Sequence, residues 1–313
     1  MFDVSTIVVT WKTRDLLRTC LRSALEQTAG VRMEVIVIDN ASGDGSCEMV
    51  RTEFPGVRLI ANRTNLGLSE ASNRGIAESR SRHILFMNPD TEARGNAIGR
   101  MVEFMDAHTD VGALGTKLLN TDGSLQPSCY SDIGPLKAFA VASGVADLLP
   151  YGLIARLRPG HILRRIVDLP DHESVLFPDC FVGAAMMFRR EAVEQAGPFD
   201  PQFRVYWSEV DEFYRLRRLG WKIAYTPHAV FTHHGRSCLK TAYRPLVLQW
   251  WKGYHLMVER HFGARRARLL HAAMLAGAVL CWPFIFVDLA RGVENAREKF
   301  RTYGALLAWG LAG

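Results

Sequence analysis

Apolar runs and amphipathic segments alternate along the first hundred residues of the chain. Four apolar runs bounded by polar residues predict buried strands, at positions 4–10, 33–39, 57–61 and 83–87. Between and after them, apolar residues recur at helical spacing, which predicts helices at 14–25, 46–54, 68–79 and 95–107. Strand and helix alternate with short connections, so we expect a mostly parallel, Rossmann-like α/β sheet with helices on both faces.

The second half of the chain is less regular. Strands are predicted at 181–188 and 222–225, and helices at 190–196 and 209–219. The region from about 131 to 171 mixes apolar and basic residues with several Pro and Gly, and we interpret it as an insertion over the sheet edge. We therefore expect an α/β domain at 1–237 that contains this insertion, followed by a basic, apolar helical region at 238–313.

Polar residues stand where two of the predicted strands end. Asp39 ends the second strand, and Asn88, Pro89 and Asp90 follow the fourth. Pro89 cannot donate to a strand ladder, so the chain leaves the sheet there. All three residue types suit a turn, but ligands of parallel sheets bind at the carboxyl ends of the strands. A carboxylate in that place most simply holds a metal ion, which makes Asp90 a candidate ligand.

Two familiar nucleotide-binding motifs are absent from the sequence. The turn after the first strand, TWKTRD, has no glycine, and no G-x-x-x-x-G-K-[ST] loop occurs. Both observations argue against a dinucleotide-dependent oxidoreductase or a P-loop enzyme. The six cysteines include no C-x-x-C pair, which argues against a zinc site or a disulfide framework and fits a reducing cytosol. The chain runs directly into its first strand, so we expect no signal peptide.

Charge is distributed unevenly between the two predicted regions. Up to Gly235 there are 28 acidic and 26 basic residues, whereas 236–313 holds 4 acidic and 12 basic residues, a net charge of +8. Within this tail, 269–287 is a run of 19 residues without Asp, Glu, Lys or Arg, close to the minimum for a membrane span. His271 and Pro283 weaken a spanning interpretation, and basic residues flank both ends.

We therefore expect the tail to lie on, or dip into, the inner face of the cell membrane, with anionic lipid as its partner. The alternative is an ordinary buried helix or one that forms a homo-oligomer. Nucleic acid is not an expected partner, because no recognised binding motif accompanies the basic residues.

Seven segments resemble family 2 of the inverting glycosyltransferases, which have the GT-A nucleotide-diphospho-sugar transferase fold. In order they are IVVTWKTRDLLRTCLRSAL, VIVIDNASGDGS, NLGLSEASNRGI, LFMNPDT, FVGAAMMFRREAVEQAGPFDPQF, YWSEVDEFYRLRRLGWKI and HHGRS. The resemblance is greatest to the rhamnosyltransferase-like branch, and it extends from about Val4 to Ser237.

The resemblance implies a site for a nucleotide-diphosphate sugar donor. Asp39 would accept the imide N–H of the nucleobase, and Asn88 would meet the ribose where the family usually has Asp. Further donor-site candidates are Thr10, Trp11, Asn65, Gly67, Asn73, Asp90, Gly183 and Ala184. Each also has a structural interpretation: an Asx turn or helix cap for Asp39, a turn for the Asn-x-Gly segment, and close strand packing for Gly183 and Ala184.

The resemblance also implies the catalytic and metal-binding residues. Glu209 takes the position of the family's general base, and Asp211 is either the alternative base or the residue that positions it. Asp90 and His233 would bind the metal, although His234 next door could take that role. Mn²⁺ and Mg²⁺ are the candidate ions, since imidazole suits Mn²⁺ whereas Mg²⁺ prefers oxygen.

The implied activity is inverting transfer of a sugar onto a hydroxyl of a lipid-linked or cell-envelope polysaccharide, as in cell-wall or O-antigen synthesis. dTDP-L-rhamnose is the expected donor, a UDP-sugar is the alternative, and a polyprenyl-diphosphate-linked saccharide is the expected acceptor. The expected location is cytoplasmic, peripheral at the cell membrane. A rival hypothesis is a catalytically inactive scaffold subunit of a glycan-assembly complex, because Asn88, Ser208 and Glu209 replace the family's usual acidic residues.

Overall fold

The computed structural model describes residues 2–130, 134–145, 154, 171–235, 239–293 and 296–312. Most of the predicted insertion at 131–171 lies outside these residues. The chain divides into two compact units. The first, called here the sheet unit, is Met1–Tyr130 with Asp171–Ser237, and the second, the helical unit, is Ser131–Pro170 with Cys238–Gly313.

The described part of the sheet unit alternates strands and helices over its first hundred residues, as predicted. Its strands are β1 (Phe2–Thr10), β2 (Met33–Asp39), β3 (Arg58–Ala61), β4 (Ser81–Met87), β5 (Thr91–Arg94), β6 (Val111–Leu119), β7 (Leu125–Gln126), β8 (Cys129–Tyr130), β9 (Cys180–Phe181), β10 (Ala185–Arg189) and β11 (Lys222–His233). Its helices, numbered with those of the helical unit, are α1 (Arg14–Glu26), α2 (Ser46–Glu53), α3 (Leu68–Glu78), α4 (Ala97–Ala107), α6 (Arg190–Ala196) and α7 (Ser208–Arg218).

The main sheet is mixed, and most of its described strands run in one direction, as predicted. Its order is β3-β2-β1-β4-β10-β6-β11-β5, with β7 added to β6. β3, β2, β1 and β4 run parallel, and so do β6 and β11. β10 lies between β4 and β6 and is antiparallel to both, and β5 is antiparallel to β11. The predicted sheet is therefore correct for the first four strands and incomplete beyond them.

Two strand predictions need correction. The predicted strand at 181–188 is two strands, β9 and β10. Residues 182–184 form a loop between them, in which the Ala184 carbonyl accepts from the Asn88 N–H (2.8 Å). The predicted strand at 222–225 continues to His233. Its pairing with β6 shifts register between Thr226 and Val230, around Pro227, which cannot donate to the ladder. This extension carries His233 to the sheet edge where β4 ends.

The core of the sheet unit lies on both faces of the sheet, because alternate side chains of each strand point to opposite sides. One face packs against α1, α2 and α4. The buried residues of this layer include, from the strands and the helices together, Val4, Val8, Val35, Val37, Leu17, Leu21, Met49, Ile98 and Met101. On the other face, α3 comes so close to β1 that a Cβ on Gly75 would lie 2.5 Å from Ile7 Cγ2. Only glycine allows this approach without displacing Ile7.

The described part of the helical unit consists of α5 (Pro135–Ala142), α8 (Leu239–Phe262), α9 (Ala264–Ala290) and α10 (Ala296–Ala312). α9 packs against α5 closely enough that a Cβ on Gly277 would lie 2.6 Å from the Phe139 carbonyl oxygen. Among the described helices, α9 alone has the length and apolar composition of a membrane span. It contains the apolar run predicted at 269–287.

Candidate active site

The ends of β1 and β2 form one side of the site. Thr10 pairs with Asp39 in the parallel ladder, and the Asn40 N–H donates to the Thr10 carbonyl (2.9 Å). The Asp39 side chain is buried, and its Oδ2 accepts from the Ser42 N–H (3.1 Å). Its Oδ1 is also buried but has no hydrogen-bond partner. A buried acceptor costs free energy unless it is paired, so Asp39 is prepared to accept an N–H from a ligand.

Backbone strain lies around this site. Three non-glycine residues in the described part of the chain have a positive φ: Lys12 (56°), Ala41 (61°) and Trp207 (77°). They adjoin Trp11, Asn40 and Ser208, each in or beside a predicted site segment. Such conformations persist where the surroundings enforce them and are often found at functional sites. Nothing in the residue types at these positions predicted the strain.

A buried asparagine connects Asp39 to the Asn-x-Gly segment. Asn40 Nδ2 donates to Asn65 Oδ1 (3.0 Å) and to the Gly67 carbonyl (3.1 Å). Its Oδ1 accepts from Asn62 Nδ2 (3.0 Å) and from the Leu66 N–H (2.9 Å). All four hydrogen-bonding positions of the Asn40 amide are thus used. Asn40, which was not among the predicted site residues, holds the segment against the end of β2.

The same segment packs against the loop that precedes α7. Gly67 has a φ of +85°, and a Cβ there would lie 2.9 Å from the Arg204 carbonyl oxygen. Asn73 Nδ2 donates to the Phe199 carbonyl (2.7 Å), and its Oδ1 accepts from the Phe199 N–H (2.9 Å). The structure therefore gives Asn73 a role in fixing this loop, and its contact with a donor stays a prediction.

The turn after β4 places Asn88 and Asp90 beside the end of β11. The Thr91 N–H donates to the Asn88 carbonyl (3.1 Å), which closes the turn. The His234 N–H donates to the Asp90 carbonyl (2.9 Å), and His233 Nε2 lies 3.4 Å from Asp90 Oδ1. Asn88-Pro89-Asp90 is thus a turn, and it also places a carboxylate next to an imidazole.

His234 does not share this position. Its Nε2 pairs with Glu92 Oε1 at 2.5 Å, away from the Asp90 carboxylate. Of the two adjacent histidines, only His233 faces Asp90.

Carboxylate oxygen and imidazole nitrogen suit Mn²⁺ and similar divalent ions. Within the described residues, no third His, Cys, Asp or Glu joins them to make a cluster of three ligands. Asp90 and His233 therefore fit an ion whose remaining ligands come from substrate oxygens and water, as is usual at phosphate-binding metal sites.

Glu209 stands in the first turn of α7, against the small-residue loop before β10. A Cβ on Gly183 would lie 3.4 Å from Glu209 Oε1, at van der Waals distance, so the loop passes close to the carboxylate. Ser208 Oγ donates to Glu209 Oε2 (3.2 Å). Burial of part of the side chain raises the pKa of Glu209 above its ordinary value. The neighbouring Ala184 is fully buried.

Asp211, two residues further on, has different surroundings. Its side chain is fully buried, and Arg215 Nε donates to its Oδ2 (3.0 Å). Arg215 also contacts Glu212, and its Nη1 donates to the Ala196 carbonyl (2.6 Å). Burial raises the pKa of Glu212 to about 8, although Arg215 opposes the shift. Asp211 is therefore part of an internal charged cluster, whereas Glu209 is partly exposed.

Comparisons with known proteins identify similar sequences and a similar fold. Residues 5–135 match the model of glycosyl transferase family 2. An N-acetylglucosaminyl-diphospho-decaprenol L-rhamnosyltransferase of Mycobacterium tuberculosis is 27% identical over 76% of this chain and 78% of its own length. The succinoglycan biosynthesis protein ExoO of Rhizobium meliloti is 37% identical over 34% of this chain and 30% of its own length.

A solved structure has the same fold. The mannosyltransferase PcManGT from Pyrobaculum calidifontis, in complex with GDP-Man and Mn²⁺, superposes with a TM-score of 0.59 at 18% identity. The match covers 97% of this chain and 80% of that one. The fold is therefore that of a GT-A glycosyltransferase. The match of residues 5–135 to glycosyl transferase family 2 and the similarity to an L-rhamnosyltransferase agree with the predicted resemblance, and the solved structure confirms the predicted fold.

Proposed function

We propose that the protein transfers L-rhamnose from dTDP-L-rhamnose to a hydroxyl of a lipid-linked saccharide, with inversion at the anomeric carbon. The observation that supports this most directly is the arrangement of three different groups at the end of the sheet where β2 and β4 end and the loop before β10 meets α7. The unpartnered Asp39 Oδ1, the Asp90–His233 pair and Glu209 match the needs of a nucleobase, a diphosphate and an acceptor hydroxyl. The choice of rhamnose rests on the mycobacterial relative, which is named for L-rhamnosyl transfer.

Donor binding begins at β2. Asp39 Oδ1 is a buried acceptor without a hydrogen-bond partner, and it accepts the imide N–H of thymine. Asn88, at the turn after β4, offers an amide to the ribose hydroxyls. Gly183 and Ala184 leave room for the sugar, since they add little or no side-chain bulk beside Glu209. Asp90 and His233 would hold a divalent ion, which supplies positive charge to the departing diphosphate.

Glu209 is the proposed general base. It takes the proton from the acceptor hydroxyl as that oxygen attacks the anomeric carbon. A new C–O bond forms while the bond to the nucleotide diphosphate breaks, and the proton remains on Glu209. Its raised pKa makes the carboxylate a stronger base near neutral pH. Asp211 is a poorer candidate because it is fully buried and paired with Arg215.

Peripheral association with the cytoplasmic face of the membrane fits an acceptor carried on a lipid. On α9, six large apolar side chains are between 46% and 64% exposed: Leu269, Val279, Leu280, Phe284, Phe286 and Val287. Arg265 and Arg268, near its start, suit anionic headgroups. We propose that this apolar surface, rather than a homo-oligomer contact, holds the enzyme at its acceptor.

A donor panel tests the proposal. The purified protein would be incubated with dTDP-L-rhamnose, UDP-hexoses and GDP-mannose, with a polyprenyl-diphosphate saccharide as acceptor. Turnover with dTDP-L-rhamnose and an inverted product is the expected result. Turnover only with a UDP- or GDP-sugar would replace the donor and retain the reaction class. Nucleotide binding without turnover of any donor would favour the inactive scaffold instead.

A further inference from the structure

A short hairpin outside the predicted site contacts His233. β6 turns at Asn120, whose N–H donates to the Ser124 carbonyl (2.8 Å), and returns as β7. Leu118 pairs with Gln126 in this hairpin. The Gln126 amide reaches His233 twice: Oε1 lies 2.7 Å from the ring Nδ1, and Nε2 donates to the His233 carbonyl at 3.4 Å.

We propose that Gln126 is a positioning residue that fixes the tautomer of His233, so that its Nε2 lone pair faces Asp90 and is available to a metal ion. The proposal rests on the metal site described under the proposed function. Gln126 touches neither donor nor ion in this scheme, and it acts only through His233. The tautomer of His233 depends on which amide atom of Gln126 faces the ring.

A carboxylate determines the direction of this hydrogen-bond chain. Asp122 Oδ1 can only accept, so the Ser124 hydroxyl donates to it (2.6 Å). Ser124 Oγ then accepts from Asn120 Nδ2 (2.9 Å), which also donates to the Leu125 carbonyl (3.4 Å). A backbone carbonyl cannot donate, so the orientation of the Asn120 amide is determined twice.

The remaining steps follow from that orientation. Because Asn120 presents its Oδ1, Gln126 donates to it through Nε2 (3.0 Å). Gln126 Oε1 is then the atom that faces His233 Nδ1, and a carbonyl oxygen requires an N–H there. The neutral ring consequently carries its proton on Nδ1 and its lone pair on Nε2.

Two lone-pair-bearing atoms then face each other, His233 Nε2 and Asp90 Oδ1, 3.4 Å apart. In the neutral ring neither atom can donate to the other, and both can coordinate a cation that lies between them. Hydrogen bonds from a ligating histidine to a second residue typically orient the ring, and their loss weakens metal binding about 10- to 100-fold.

The test compares Mn²⁺ affinity among variants in the presence of dTDP, measured from the EPR signal of free Mn²⁺. Gln126→Met removes the acceptor and is expected to weaken Mn²⁺ binding about 10- to 100-fold. Gln126→Glu keeps an acceptor oxygen toward Nδ1 and is expected to stay near wild type. Gln195→Met is the matched control, because Gln195 Oε1 also accepts a ring N–H, from Trp221 Nε1 (2.9 Å), on another part of the sheet unit.

His233→Ala separates failure of the inference from failure of the metal site. If His233→Ala binds Mn²⁺ as wild type does, the site itself is wrong and the inference falls with it. If His233→Ala loses Mn²⁺ but Gln126→Met does not, only the inference is overturned. Equal losses in Gln126→Met and Gln126→Glu would also overturn it, because the acceptor would then not be what matters.

A measurement on the unaltered protein covers the case in which Gln126→Met does not fold. Long-range ¹H–¹⁵N correlation spectra of the metal-free protein with labelled histidine report the tautomer of each ring. The signal lost in His233→Ala identifies His233. An Nδ1–H tautomer is expected at a pH where the ring is neutral, and an Nε2–H tautomer would refute the proposal.

Discussion

The two compact units use apolar and charged side chains in opposite ways. In the sheet unit, apolar strands are covered on both faces, and carboxylates are held inside: Asp39, Asp211 and Glu212 are each no more than 3% exposed. In the helical unit, α9 exposes a series of large apolar side chains, including Leu280 (52%) and Phe284 (59%). Burying a carboxylate costs free energy unless the carboxylate is paired. Exposing a large apolar surface to water is also unfavourable.

This contrast suggests a division of labour between the two units. In the proposed function, the packing of the sheet unit places a few polar groups for chemistry, and the helical unit offers its exposed apolar surface to lipid. Variants in one unit should therefore leave the property of the other unchanged. Turnover, resistance to urea and binding to anionic vesicles are the properties to compare.

The largest effect is expected from Asp90→Ala. Loss of the carboxylate should abolish Mn²⁺ binding and lower turnover by at least about a thousandfold, since a metal stabilises the departing charge by several kcal/mol. EDTA should do the same to the wild type, with Mn²⁺ or Mg²⁺ restoring activity. Vesicle binding should not change. Full activity of the wild type in EDTA would contradict the role given to Asp90 and His233.

Glu209→Gln should lower kcat by about 10²- to 10⁴-fold with little change in donor affinity, because general-base catalysis contributes about that much. Gln keeps the size of the side chain and its contact with Ser208. Asp211→Asn is the informative contrast. Its main expected effect is a lower free energy of unfolding, since Arg215 would lose a buried partner. If Asp211→Asn were as stable as the wild type but had a lower kcat, and Glu209→Gln had a normal kcat, Asp211 would be the general base instead of Glu209.

The stability of the sheet unit should depend on Glu212. Its pKa is raised from 4.5 to about 8 in the folded state, so the folded state binds this proton more tightly than the unfolded state does. The contribution of Glu212 to the free energy of unfolding is fully present below pH 4.5 and is lost as pH rises through about 8. Urea unfolding of the wild type should therefore lose a few kcal/mol over this range. In Glu212→Gln, most of this loss of stability should disappear. If the stability of Glu212→Gln falls with pH as that of the wild type does, the raised pKa of Glu212 is refuted.

Apolar contact with lipid is tested by Leu280→Ser with Phe284→Ser, two exposed positions one helical turn apart on α9. Removing half-exposed side chains of this size should cost about 2 kcal/mol of membrane binding, or roughly 30-fold in vesicle affinity. Turnover with a soluble acceptor should be unaffected. Phe177→Ser in the sheet unit is the matched control, because Phe177 is 60% exposed but belongs to the other unit. If Phe177→Ser lost as much vesicle affinity as the α9 double variant, membrane binding would not be a property of the helical unit alone.

The smallest effect is expected from Arg265→Gln and Arg268→Gln at the start of α9. A basic side chain near an anionic surface contributes about 1 kcal/mol, so each change should weaken vesicle binding by roughly fivefold. This loss should vanish in high salt, whereas the apolar contribution should persist. If the tail binds no anionic vesicle even at low salt, α9 is an internal or oligomer-forming helix.

Much of this organisation could be predicted from local pattern. Asp39 and Asp90 were identified because a parallel strand ends where ligands bind, and that relation requires only the apolar run and the polar residues after it. The antiparallel β10 could not be predicted in the same way. Its apolar residues identify a strand, but its neighbours β4 and β6 are chosen by pairing across more than 60 residues of chain.

The roles of individual polar residues show the same limit. Asn40 and Gln126 lie in short polar segments that suit turns equally well, so their types alone did not distinguish them. Only the fold brings Gln126 to His233, 107 positions away. The choice between His233 and His234, adjacent and chemically identical, also depended on the direction in which β11 presents each ring.

The sequence by itself therefore determined the family resemblance, through its motifs, and also the first four strands with their helices and the kinds of group at the strand ends. These depend on residue type and short-range periodicity. The tertiary structure decided which groups meet: His233 with Asp90, Glu209 with Gly183, and Asp211 with Arg215 inside the protein. A carboxylate acts as a base, a ligand or a structural ion according to its burial and its partners. Those are properties of the packed chain, and the local sequence does not contain them.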